Sequence, residues 1–329
     1  MAPVDGRAPR SRARSAASPR RCSPRLGLLV ATRDRAARLE RLLASLASEW
    51  DDVDEAVFVD NGSEDGTADV LARAARDNPR IVVATYAAPG KARALNHGLR
   101  LGAAALVGFL DDDVRVLPGW AAAMRAAAAS SDAPAFQGRI VPPREIDGDP
   151  ALAAAWRLWG TLPTVVGASP RRPALTGANM AVRRSAFERV GGFDERLGPG
   201  AYGLCEDTEL AWRLQSELGP PAFAGDAAVE HEWDPERLTA AYFSAYHRRL
   251  GRSRFAHKRN RLVSSILPNL AKATLLSIAT RPLGADRRHL RQRARWIQYR
   301  EMLRAWAEER GAPPPAQTPA HNPLELRIQ

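Results

Sequence analysis

Three consecutive carboxylates, Asp111, Asp112 and Asp113, end the apolar run over residues 105–110. Oxygen ligands of this kind suit Mg2+ or Mn2+, ions that share their coordination with substrate phosphates. Like charges this close repel strongly unless a cation or a proton intervenes. The cluster therefore reads as a metal site for a phosphate-bearing substrate, against the plainer reading of a solvated acidic turn. The six residues before it are apolar or small, as in a strand buried on both faces of a parallel sheet. Open α/β sheets bind ligands at the carboxyl ends of their strands, which is where the three Asp stand. A second acidic pair, Glu206-Asp207, opens a helical pattern. Two carboxylates there suit the helix dipole, and they also suit proton transfer.

The elements that must position these groups alternate in type. Residues 26–31, 55–59, 81–84, 105–110, 136–141 and 222–229 read as strands. Residues 174–182 read as extended. Asp34 is placed to cap a helix whose Ala36, Leu39, Leu42, Leu43 and Leu46 share one face. The turn cluster Asp60–Thr67 leads into a helix with Val70, Leu71 and Ala74 inward. Further helices are expected over 91–103, from Pro118 to 129, after Ser185, and over 206–218. Strand–helix alternation with short connections predicts a parallel sheet. Residues 142–173 are rich in Pro and Gly and have no assigned place beyond a loop with a short helix. From Pro235 the chain reads as helical almost to Gly311.

The formal charge of +11 over 329 residues is unevenly spread. Residues 1–25 hold seven Arg and one Asp, and residues 248–304 hold sixteen Lys or Arg and two acids. Between them, residues 26–247 carry 23 bases and 31 acids. A basic total therefore does not make this a nucleic-acid binder. The two cysteines, Cys22 and Cys205, are far apart, which argues against a disulfide framework and for a reducing cytoplasm. No run of about 18 uncharged apolar residues occurs, so no transmembrane helix is expected. The Arg- and Ser-rich start resembles a transit peptide, but a disordered tail or a mis-chosen start codon is preferred. The expected organisation is a tail over 1–25, a catalytic domain over 26–235, a helical extension over 236–311 and a flexible tail over 312–329.

Four segments occur in one order: Val30–Arg35, Val59–Thr67, Asp111–Asp113, and Glu206-Asp207 before a helix. The set resembles family 2 glycosyltransferases over about residues 26–235. The resemblance implies the GT-A type of α/β fold, a three-layer α/β/α sandwich with a mostly parallel central sheet, here with a helical C-terminal extension. It implies an inverting enzyme that moves a sugar from a nucleotide diphosphate, UDP by preference, to an acceptor hydroxyl with a divalent cation. The acceptor would be a glycan, a lipid-linked sugar or a small molecule.

The same resemblance suggests roles. Asp111 and Asp113 match the ligand positions for Mn2+ or Mg2+, and His231 matches a His that completes the metal site. Asp207 matches the proton acceptor, with Glu206 beside it to help or replace it. Asp60 matches the carboxylate that accepts from the nucleobase, and Thr32 and Arg33 would line that pocket. Lys91 and Arg93 match a nucleotide-contacting loop. Gly177 and Asn179, in Thr176–Met180, match the segment that carries donor sugar and diphosphate, and Asp112 joins the donor site. Leu204-Cys205 stands where relatives often have Gly. Trp156, Trp159 and Trp233 are candidates for stacking on a sugar, with core packing the plainer role. Gln292–Trp296 spells a pattern of processive members and is read as coincidence. Arg residues in 246–254 are placed to pin a diphosphate.

The basic, apolar 248–304 segment fits either a membrane surface at the inner face or a helix packed on the catalytic domain. No nucleic-acid partner is expected. A sugar-phosphate nucleotidyltransferase is the first alternative, though Ala31–Arg35 lacks its Gly-rich loop. A non-catalytic binder of membrane or nucleic acid is the second.

Overall fold

The computed structural model describes residues 23–161, 165, 175–232, 234–258, 261–283 and 286–311. Strand and helix alternate in its first third: β1 (Leu26–Thr32), α1 (Ala36–Ser45), β2 (Glu55–Asp60), α2 (Thr67–Asp77), β3 (Ile81–Thr85), α3 (Lys91–Leu101) and β4 (Leu106–Leu110). All of β4 is buried, as its unbroken apolar run requires. Then follow β5 (Val114–Val116), α4 (Trp120–Ser130), β6 (Ala135–Val141), α5 (Glu145–Gly148), α6 (Pro150–Trp159), β7 (Asn179–Arg183), α7 (Arg184–Val190), α8 (Glu206–Leu218) and β8 (Ala222–His231).

One eight-stranded sheet has the order β3-β2-β1-β4-β7-β6-β8-β5. β3, β2, β1 and β4 are parallel, and β7 turns antiparallel against β4. The alternation of side chains along β1 and β2 sorts them onto two faces. Leu28, Val30 and Phe58 pack with α1, α2 and α4 on one face. Leu29, Val57 and Val59 pack with α3, α7 and α8 on the other. This is the expected three-layer arrangement, with a mixed half beyond β4.

The mixed half is what gathers the site. β7 runs backwards, so its first residue, Asn179, stands opposite Leu110, the last of β4. β8 runs parallel to β6, and β5 returns antiparallel along it with Val114 opposite His231. The start of β7 and the end of β8 therefore reach the sheet edge at which Asp111–Asp113 stand.

Some expectations need correction. Asp34 does not cap α1. It adopts a left-handed conformation (φ 52°), and its carboxylate accepts from the Glu64 N–H. The orphan donors of α1 are met from the α2 turn instead, Arg35 N–H by Thr67 Oγ1 and Ala36 N–H by Asp65. The unassigned stretch after residue 142 contains α5 and α6. Asp149 caps α6 by accepting from the N–H groups of Ala151 and Leu152. The extended stretch expected over 174–182 is shorter in its ordered strand, since Gly177 and Ala178 form a turn before β7.

The helical C-terminal part consists of a 3-10 turn (Pro235–Leu238), α9 (Ala240–Lys258), a π-helical turn (Leu262–Ile266), α10 (Leu267–Ala279), a second 3-10 turn (Arg281–Leu283) and α11 (Arg287–Gly311). Phe255, Ile266, Met302 and Ala305 form its own small core. The segment Leu262–Ala279 is, among the described residues, one helical stretch long and apolar enough to cross a membrane by length and composition. A search for uncharged runs misses it because Lys272 interrupts it. The tails, Cys22 and Trp233 lie outside the described residues.

Candidate active site

A cleft of about 690 Å³ opens at this sheet edge, and its walls include Thr32, Arg33, the three Asp of 111–113, Glu206, Asp207 and His231. The helical layer contributes a further wall through α9 residues, among them Tyr242, Tyr246 and Arg249. The acids that follow β4 and those that open α8 thus meet in one place, although more than ninety residues separate them in sequence.

Each acid has a different environment. Asp113 is 6% exposed and accepts from Arg237 at 2.9 Å and from Arg38 at 3.3 Å. His231 Nε2 lies 3.5 Å from its other oxygen. Burial works to raise the Asp113 pKa, but His231, Arg237 and Arg38 together outweigh it, and the carboxyl sits below its usual range. Asp112 accepts from the Thr32 hydroxyl at 2.8 Å. Burial, then the nearby Asp113, pushes its pKa up to about 6. Asp111 is paired with the Lys91 ammonium, which also lies 3.5 Å from Glu206. Burial opposes the charge on Lys91, yet Asp111 and Glu206 outweigh it and its pKa is raised. Glu206 is pushed up to about 7, by burial first and by Asp207 next, with Lys91 acting against both.

Asp207 is held by backbone. One oxygen accepts from the Gly177 N–H at 2.9 Å and the other from the Thr208 N–H at 2.6 Å. A Cβ on Gly177 would come within 4 Å of Lys91, Asp111 and Asp207 together, so this glycine sits where three charged groups converge. Cys205, just before the pair, adopts a left-handed conformation (φ 77°). That explains the sequence pattern, because glycine is the residue that takes this conformation without strain.

The donor set fits a divalent cation. One ligand atom from each of Asp111, Asp113 and His231 lies within 4.8 Å of the other two. His231 Nδ1 is 2.8 Å from the Glu232 carbonyl oxygen, which can only accept. Nδ1 therefore carries a proton, which leaves Nε2, on the side of the carboxylates, as the nitrogen that would ligate a metal. Two carboxylates and one imidazole suit Mn2+ or Mg2+.

Other candidates are elsewhere or otherwise employed. Asp60 is buried at the end of β2 and accepts from the Ser63 N–H, and it is not on the cleft wall. Its neighbour Asn61 does line the cleft, with its amide bound to Tyr86, Ala88 and Gly90 backbone. Arg93 lies outside the cleft, near Pro89 O and Glu195. Asn179 is fully buried, and its amide is consumed by the fold. It accepts from Trp120 Nε1 and donates to the carbonyls of Arg139 and Ala227 beside the irregularity between β6 and β8. Lys91 lines the cleft, where its ammonium pairs with Asp111 and lies near Glu206. Trp159 packs edge-on to Phe243 in the helical layer, and neither it nor Trp156 lines the cleft. None of Gln292–Trp296 lines the cleft. Arg249 and Arg254, from the segment proposed to pin a diphosphate, do.

Sequence reasoning missed Arg38, Arg237 and Trp212. Trp212 is one of the apolar residues of α8, yet it is 52% exposed on the cleft wall. Its helical phase carries the signal, since Leu210 and Leu214 point inward and position 212 falls on the opposite side. No local pattern marks the two arginines, which meet Asp113 only through the fold.

A sequence model described as "Glycosyl transferase family 2" matches residues 28–191. No curated protein matches the chain by sequence. Among solved structures, a mannosyltransferase of Pyrobaculum calidifontis, in complex with GDP-Man and Mn2+, is 20% identical. The alignment covers 94% of this chain and 81% of that one, with a TM-score of 0.50. S. aureus TarS is 15% identical, with 86% of this chain and 55% of that one covered, also at a TM-score of 0.50. At these identities the likeness speaks to the fold, which is of the GT-A type.

Proposed function

Because this chain belongs to the family 2 glycosyltransferases, we propose that it transfers a sugar from a nucleoside diphosphate to an acceptor hydroxyl with inversion, using a divalent cation. Asp111, Asp113 and His231 would hold that cation, Mn2+ or Mg2+. When bound, the ion supplies Lewis-acid stabilisation of the charge that develops on the leaving diphosphate. UDP-sugars are the first donors to test and GDP-sugars the second. In this reading residues 26–235 are the catalytic unit, and α9 completes its cleft.

The chain's own residues supply the rest. Asp207 removes the proton from the acceptor oxygen as that oxygen bonds to the anomeric carbon and the bond to the diphosphate breaks. The backbone donors at Gly177 and Thr208 fix its carboxylate in place; Oδ1 also accepts from the Thr208 hydroxyl, and Oδ2, with the Gly177 N–H as its one donor here, keeps a lone pair for the incoming hydroxyl. Glu206 lies deeper, against Lys91. Lys91 places one positive charge between Asp111 and Glu206, and so lets three carboxylates share a small volume. Thr32 orients Asp112 on the nucleotide side. Asp60, Arg93 and Asn179 take no direct part in this reading.

The observation that carries the proposal is the convergence of Asp111, Asp113, His231 and Asp207 on one cleft wall. The test is Asp207→Asn. Transfer should fall by about a thousandfold or more, while metal-dependent stabilisation by the nucleoside diphosphate, read as a thermal shift, persists. Turnover near the wild-type rate would remove Asp207 from the base role.

A further inference from the structure

Between Glu236 and Asp286 the chain carries ten Lys or Arg and no acid. Within this interval α10 turns an apolar face outward. Leu267, Ala271, Leu275 and Ile278 recur at steps of four, four and three, which places them on one stripe. All four are exposed, Leu275 at 69% and Ile278 at 65%, and Val263 on the preceding π-helical turn reaches 76%. The opposite side of the same helix faces protein. Ile266 packs with Phe255, Met302 and Ala305, and Ala273 is buried. A single exposed leucine needs no explanation, but a continuous stripe marks an interaction surface.

The surroundings decide what covers it. Arg261, Lys272 and Arg281 are exposed along α10 and its two ends, and Arg287, Arg288 and Arg291 are exposed at the start of α11. Lys272 stands at the flank of the stripe rather than on the buried side. A second copy of this chain would bring these cations against their own duplicates, which like-charge repulsion disfavours. An apolar stripe bordered by bases matches the boundary between acyl chains and anionic headgroups, with long basic side chains reaching out to the charge. Because Ile266 packs on α9 and α11 and Ala273 is buried, lipid can reach only the outer side of the helix. The helix would lie along the surface and not cross it.

We infer that the outer face of α10 docks the protein on an anionic lipid bilayer. This rests on exposure and charge and is independent of the transfer reading. The wall of the cleft formed by α9 belongs to the same helical layer, so docking would hold the cleft close to the bilayer.

The test is co-sedimentation of the full chain with phosphatidylcholine vesicles, with or without about a third phosphatidylglycerol. The wild type should bind the anionic vesicles and not the neutral ones, and binding should weaken with salt. Leu275→Glu combined with Ile278→Glu should weaken it by about tenfold or more. Both positions are exposed, so the fold should survive, which circular-dichroism melting checks. Lys272→Glu combined with Arg281→Glu is a second variant that leaves the apolar stripe intact and should also weaken binding. Equal binding of wild type and both variants, or no preference for anionic vesicles, would overturn the inference. A wild-type dimer in analytical ultracentrifugation that Leu275→Glu/Ile278→Glu dissociates, without vesicle binding, would assign the stripe to a second copy and also overturn it.

Discussion

In the cleft, carboxylates are crowded and largely buried, and buried or half-buried cations accompany them. Lys91 stands between Asp111 and Glu206, and Arg38, Arg237 and His231 surround Asp113. In the helical layer the crowded charge is basic, and from Glu236 to Asp286 no acid accompanies it in sequence. There the bases beside α10 remain in solvent. The two regions face different costs. Taking an unpaired charge out of water costs several kcal/mol or more, so a buried cluster of one sign must recruit the other sign. An exposed base keeps its hydration and needs no partner, and its field remains available to an external anion. Neutralisation thus marks the cleft as a place where charge is held in reserve for chemistry. The lack of it marks the α10 side as a place where charge faces outward.

The largest effect that would sharpen this contrast is expected from Asp113→Asn. It removes a cation ligand and also leaves Arg38 and Arg237 without their shared carboxylate. Metal-dependent transfer should fall by about a hundredfold or more. The melting temperature should also drop, because breaking a buried ion pair from one side costs about 3–5 kcal/mol. Lys272→Ala, on the exposed side, should change the melting temperature by less than about 0.5 kcal/mol equivalent. Rates against Mn2+ concentration and paired melting curves check both. A similar stability loss for the two variants would break the contrast.

A smaller effect concerns Glu206, whose carboxyl is pushed up to about 7 by burial and by Asp207. A raised carboxyl pKa means that the folded state favours the protonated form. Stability then falls as pH rises from the ordinary value of 4.5 toward about 7, and the penalty is complete above that. Glu206→Gln removes the titration. Its melting temperature should match the wild type near pH 4.5 and exceed it by a few degrees above pH 7. Parallel curves for the two proteins from pH 4 to 8 would show that Lys91 compensates the buried charge in full.

How much of this was legible in the sequence depended on the range of each interaction. The strands other than β5, the helices α1 to α4 and the Asp111–Asp113 edge followed from apolar runs and their interruption, which are local signals. The pairing of Asp113 with Arg38 and Arg237 spans 75 and 124 residues and leaves no local trace. Asn179 misled for a related reason. Its place beside Gly177 suggests a ligand contact, but its partners are a Trp 59 residues away and two carbonyls released by a strand irregularity. Asp34 read as a cap because its position was right. The fold met the same donors from Asp65 and Thr67, across two adjacent helix starts.

The smallest expected effect separates the two regions by backbone rather than by charge. Among the described residues, the non-glycine residues with positive φ are Asp34 and Cys205. Both lie beside the cleft, and none lies in the helical layer. Strain of this kind costs about 1–3 kcal/mol and is retained where a site needs a particular geometry. Cys205 opens α8 and so sets the direction in which Glu206 and Asp207 leave the loop. Cys205→Gly would relieve that strain, but glycine also gives the unfolded chain more freedom, worth about 0.4–1 kcal/mol in the opposite sense. It also gives up the partial burial of the thiol. The terms nearly offset, so the variant should melt within about 1 kcal/mol equivalent of the wild type. Cys205→Val retains a side chain and adds β-branching, which the left-handed region tolerates least. It should be less stable than the glycine variant by about 2 kcal/mol. Thermal melting of the two variants side by side reads this directly. If valine were tolerated and glycine costly, the side chain rather than the backbone would be what position 205 contributes, and the difference in backbone strain between cleft and helical layer would rest on Asp34 alone.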